Sequence, residues 1–79
     1  MTKYFVVQPF ERSKKGRMVP GAPVQAKDEP HAHRMARRLA ETRGGALAFS
    51  RTGDLALGDF EDAVVLGTYG QVPDEALQT

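Results

Sequence analysis

Residues 28–51 read DEPHAHRMARRLAETRGGALAFSR, and how this stretch is read decides the fold. Asp28 suits an N-cap, because its carboxylate accepts an amide hydrogen that the first helical turn leaves without a partner. Glu29 complements the positive end of the helix dipole, and Pro30 is tolerated in the first turn, where its missing N–H is not needed. At 100° per residue, Ala32, Met35, Ala36, Leu39 and Ala40 fall on one apolar stripe. Arg43 puts a cation in the last turn, and Gly44 and Gly45 supply the stop. A helix over 29–43 is expected, and its alanine-rich stripe implies close packing against a sheet. The next residues, ALAFSR, suit a strand that TGD ends.

Upstream, Lys3 to Phe10 contains Tyr4, Phe5, Val6 and Val7, a run of β-formers with apolar residues at both parities. This pattern predicts a central strand buried on both sides. Pro9 cannot donate to a ladder, so regular pairing is expected to weaken there. ERSKKGR reads as a turn around Gly16. RMVPGAPVQA is broken by Pro20, Gly21 and Pro23 and predicts an irregular strand on a sheet edge, open to further pairing. Downstream, DAVVLGTY is the strongest strand of the chain, separated from ALAFSR by the acidic connection TGDLALGDFED. Successive strands usually pair as neighbours. The fold class expected is therefore α+β: an antiparallel sheet of three to four strands with one α-helix packed on one face, in the order β-(β)-α-β-β. Residues 1–75 form a single small domain in this reading, and 76–79 a frayed tail.

Composition narrows the function classes. The 79 residues include no cysteine, which excludes disulfides and thiolate zinc sites and leaves packing as the source of stability. No apolar run approaches the roughly 18–20 residues of a membrane helix. MTKYFVVQPFER reads as a strand and not as a signal peptide, so a soluble, cytoplasmic protein is expected. Residues 1–43 carry ten Lys/Arg and four Asp/Glu, whereas residues 44–79 carry one arginine and six acids. Such a split marks a surface for a charged partner, yet it also cancels within one molecule when the two halves fold together.

Few residues suggest chemistry. His31 and His33 are two apart, about 200° around a helix, so they diverge where a helical metal site needs a spacing of four. No metal and no cofactor is expected. DLALGDFED lacks the alternating oxygen ligands of a calcium loop. Neither Ser13 nor Ser50 sits in a nucleophile elbow, no phosphate-cradling glycine motif occurs, and the expectation is a non-enzymatic protein. Two basic clusters remain. Arg12, Lys14, Lys15 and Arg17 surround one turn, and Arg34, Arg37 and Arg38 project from the helix face opposite the alanines. Arg34 and Arg38 are four apart and repel slightly, a mild hint of an anionic partner such as phosphate. The plainer account is that charge keeps a turn and an outer helix face solvated. No aromatic residues interleave with either cluster, as stacking on single strands would need.

AFSRTGD, then GDFEDAVVL and GQVPDE, resemble the carboxy-terminal half of short uncharacterised bacterial proteins. In those, a helix with alanines at helical spacing comes first, as Ala32, Ala36 and Ala40 do here. The resemblance covers roughly residues 32–75 and implies no activity and no site residues. The opening VVQ and a β-α-β-β core are also similar to the peptidoglycan-binding SPOR domain. There the helix follows the first strand closely, whereas here ERSKKGRMVPGAPVQAKDEP intervenes, and the comparison is rejected.

The functional expectation is a small protein-interaction or assembly module, taking a protein partner or a second copy at a sheet edge. The alternative is a nucleic-acid-binding accessory protein using the basic loop 12–17 and the outer face of helix 29–43. A binder of an acidic ligand at the helix amino terminus ranks lower, because Asp28 and Glu29 already occupy that end.

Overall fold

A computed structural model describes residues 2–54 and 56–77. In chain order its elements are β1 (Thr2–Arg12), β2 (Met18–Pro20), β3 (Val24–Ala26), α1 (Glu29–Arg43), β4 (Gly44–Asp54), β5 (Asp59–Phe60), β6 (Val64–Gly70) and a 3-10 helix (Asp74–Leu77). The α+β class holds, with one α-helix and an antiparallel sheet. The strand count and order differ from expectation, since six strands replace three to four and three of them precede the helix.

The reason for the difference lies at the edges. β1 and β4, eleven residues each, pair along their length from Thr2↔Gly53 to Glu11↔Gly44 and form the centre. Each is flanked by a lane broken in two. Pro20, Gly21 and Pro23 cut the lane beside β1 into β2, opposite Phe10–Arg12, and β3, opposite Phe5–Val7. The lane beside β4 is β5, opposite Gly53–Asp54, followed by β6, opposite Gly45–Ser50. Residues 17–26 thus form two short regular strands where one irregular strand was expected.

Pairing weakens at Pro9 on one side only: neither β2 nor β3 reaches Gln8 or Pro9, as expected, while the ladder to β4 continues through it. Pro9 pairs with Ala46 and is almost fully buried. In an antiparallel ladder the N–H and C=O of one residue point to the same side. The Pro9 carbonyl accepts from the Gly21 amide at 2.9 Å, so its missing N–H falls on the outer side, in the gap between β2 and β3. Gln8 closes that gap by donating from Nε2 to the carbonyls of Pro9 (2.9 Å) and Gly21 (2.7 Å).

Helix α1 begins as its sequence dictates. Asp28 is the N-cap and accepts from the His31 amide at 2.8 Å, with Pro30 in the first turn and Arg43 in the last. Its stripe is the inner face: Ala32 and Ala36 are fully buried against Val7, Ala26, Ala46 and Ala48, with Met35, Leu39 and Ala40 packed at the margin. Alanines on both helix and sheet bring the two layers close. Helix and strand join without a linker, because Gly44 has φ of +124° and is already the first residue of β4. A Cβ on the adjacent Gly45 would collide with the Gln71 backbone carbonyl, so this position must be glycine for β6 to leave the sheet there.

The opposite face of the sheet carries the larger side chains. Phe10 and Leu47 are buried, and the 3-10 helix lies over them, with Pro73 and Ala76 lining one cleft together with Phe10, Leu47 and Phe49. Ala76 and Leu77, expected in a frayed tail, belong to this closing turn, while residues 78 and 79 of that tail lie outside the described residues.

Candidate interaction surface

The two histidines turn to different partners. His31 Nδ1 accepts from the Lys27 backbone amide at 3.0 Å and so braces the helix start. His33 Nδ1 shares a 2.6 Å hydrogen bond with the Tyr69 hydroxyl, and its Nε2 stands 3.5 Å from Glu29. A Cβ on Gly67 would meet the His33 ring at 3.1 Å, so the glycine gives the ring its seat on β6. Among the described residues no three His, Cys, Asp or Glu side chains gather as a metal site would need.

The basic residues divide into separate groups. Arg34 and Arg38 are exposed and flank a cleft of about 210 Å³ with His31, Met35 and Leu39. Arg37, expected on the same outward face, places its guanidinium 5.9 Å from the centre of the Tyr69 ring, a cation–π approach. In the turn, the Ser13 amide donates to the Arg17 carbonyl (2.7 Å) and the Gly16 amide to the Ser13 carbonyl (2.9 Å), leaving Lys14 and Lys15 exposed at the tip. Arg12 donates to Gln71 Oε1 at 2.9 Å, and Arg17 lines a cleft with Gly70 and Gln71. The turn and the helix arginines line different clefts.

Topology sorts the charges in a way that composition does not show. The two halves of the chain interleave, since β1 pairs with β4, yet each sign of charge predominates at one end. The turn with Arg12, Lys14, Lys15 and Arg17 lies where β1 ends; the connection with Asp54, Asp59, Glu61 and Asp62 lies where β4 ends, at the opposite end of the strands. The fold is 39 Å long on its longest axis and 17 Å on its shortest. Helix α1 runs in the same sense, with Asp28 and Glu29 at its start and Arg43, bonded to Glu11 at 2.9 Å, at its end. Lys3 and Arg51, the latter 5.8 Å from the Phe60 ring centre, temper the acidic end; Glu75 tempers the basic one.

The outer edge of β6 is lightly defended, its irregularity being a bulge at Leu66 where the register shifts against Ala48 and Phe49. VVLGTYG has neither charge nor proline, and Val64 and Val65 are 60% and 44% exposed. Its only strand partner among the described residues is β4. The opposite edge, which the sequence marks as open, is the interrupted one, with prolines and three-residue strands of the kind that block pairing. Sequence reasoning found the β6 strand but not its exposure, which depends on which lane the chain occupies.

Set against known protein families, curated proteins and solved structures, the chain matches none.

Proposed function

We propose that this chain is a non-enzymatic protein-interaction module that accepts a partner strand along the outer edge of β6. One observation carries the reading: a seven-residue edge strand, free of charge and proline, presents its outward backbone groups without a strand partner among the described residues. Such an edge is a template for main-chain pairing, and natural proteins otherwise cover or break it. The nucleic-acid alternative loses support because the turn and the helix arginines line different clefts, and Arg12 and Arg37 are engaged by Gln71 and Tyr69.

Amide hydrogen exchange in dilute solution tests the proposal. The β6 amides that face β4 should be protected, and those that face outward should exchange far faster. Equal, slow exchange on both sides would mean that the edge is already covered, and the reading would fall. No helix among the described residues is long and apolar enough to cross a membrane, so the test is made on the purified chain in buffer.

A further inference from the structure

We infer that the strand received by the β6 edge is β6 of a second copy, paired antiparallel about a two-fold axis normal to the sheet. The inference rests on the edge reading above and adds the identity of the partner. A two-fold axis relates one patch to itself, so an edge strand meeting its own copy in this way runs antiparallel. Charge then decides whether the meeting is favourable.

β6 starts at Val64, directly after Glu61 and Asp62, and ends at Gly70, next to Gln71, which Arg12 binds and beside which Arg17 lies. The strand thus runs from the acidic end of the molecule to the basic end. An antiparallel copy sets each acidic end beside its partner's basic end, twice per dimer. A parallel copy would set acid beside acid and base beside base. Opposed fields of this kind steer encounter and fix register, and they weaken as salt screens them. The side chains of the strand place no charge in the way, since Val64, Val65, Leu66, Thr68 and Tyr69 are uncharged and Gly67 lacks a side chain. A bulge at Leu66, where β6 shifts register against Ala48 and Phe49, divides the edge into a Val64–Val65 piece and a Gly67–Gly70 piece, and the partner strand must pair on either side of it. The groups that dilute the pattern, Lys3, Lys27 and Arg51 at one end and Glu11, Glu41, Asp74 and Glu75 at the other, do not reverse it, because each end keeps an excess of its own sign.

A charge-swap experiment tests the pairing on the full chain. Arg12→Glu with Arg17→Glu makes one variant with acid at both ends, and Glu61→Lys with Asp62→Lys makes another with base at both ends. Sedimentation equilibrium should show the parent chain dimerising with concentration, and each variant alone weakened on the order of tenfold or more. An equimolar mixture of the two should recover a heterodimer, a gain that damaged folding cannot produce. Raising salt should weaken the parent dimer, and Val65→Lys should abolish it.

Two failures are distinct. A parent chain that stays monomeric at about 1 mM, with outward β6 amides exchanging quickly at every concentration, overturns self-pairing but leaves the edge reading intact. Outward amides that are slow even in the dilute monomer overturn both. Duplex DNA or RNA bound in place of a second copy, with a steep salt dependence and loss in the Arg12→Glu, Arg17→Glu variant, would overturn the inference in favour of a phosphate partner.

Discussion

On one side of the β1–β4 centre, the flanking lane consists of two three-residue strands with Gly21, Ala22 and Pro23 between them; on the other, the two-residue β5 is followed by β6, which runs for seven residues. The first lane is held by a side-chain and backbone patch, in which Gln8 and the Gly21 amide fill the place of ladder bonds. The second is held by the absence of side chains, with Gly45 admitting the Gln71 carbonyl and Gly67 seating His33. A lane cut into three-residue pieces closes itself to further strands, whereas a seven-residue strand remains a template. The contrast teaches that strand strength in sequence and position in the sheet are separate properties: AVVL, the most strand-like run of the chain, sits on the outside.

Three substitutions probe the contrast. Gly45→Ala should have the largest effect, a loss of about 3 kcal/mol in urea denaturation, because the added methyl meets backbone that has no rotamer to escape into. A loss below about 1 kcal/mol would show that this end of β6 is loosely held and would break the comparison. Gln8→Ala should cost less, about 1.5 kcal/mol, since it takes the side-chain donor from the Gly21 carbonyl and leaves the Pro9 carbonyl with the Gly21 amide alone. It should leave the exchange of β6 amides unchanged, and a rise there would mean that the two lanes are coupled across the sheet. Tyr69→Phe removes the bond to His33 while keeping the ring under Arg37, and should cost about 1 kcal/mol. Thermal melts that match the parent within about 1 °C would show that Gly67 alone seats the helix.

What could be read from the sequence was local. Asp28, Pro30, the alanine spacing and the double glycine place α1 to the residue, because a cap and a 3.6-residue period involve neighbours in the chain. The three main strands were legible for the same reason. Pro9 marked a break in pairing but not its side, because which neighbour faces its missing N–H is set by the gap at residues 21–23. Arg37 was legible as exposed, but its partner, Tyr69, was not, because that residue belongs to a strand that only the sheet brings near. The charge split was visible as a composition, but its alignment along the strands required knowing that the basic turn and the acidic connection close opposite ends of the central ladder.

The central ladder also sets a timetable. β1 and β4 join residues roughly thirty to fifty positions apart, and contacts of such separation form slowly because a long loop must close first. On a ribosome adding about 5–20 residues per second, β1 emerges about 2–8 s before its partner strand is complete. During that interval Tyr4, Phe5, Val6 and Val7 have only the short β2 and β3 pieces to pair with. Those pieces, too short to template a foreign chain and separated by Gly21, Ala22 and Pro23, then act as a temporary guard on the first apolar strand of the nascent protein.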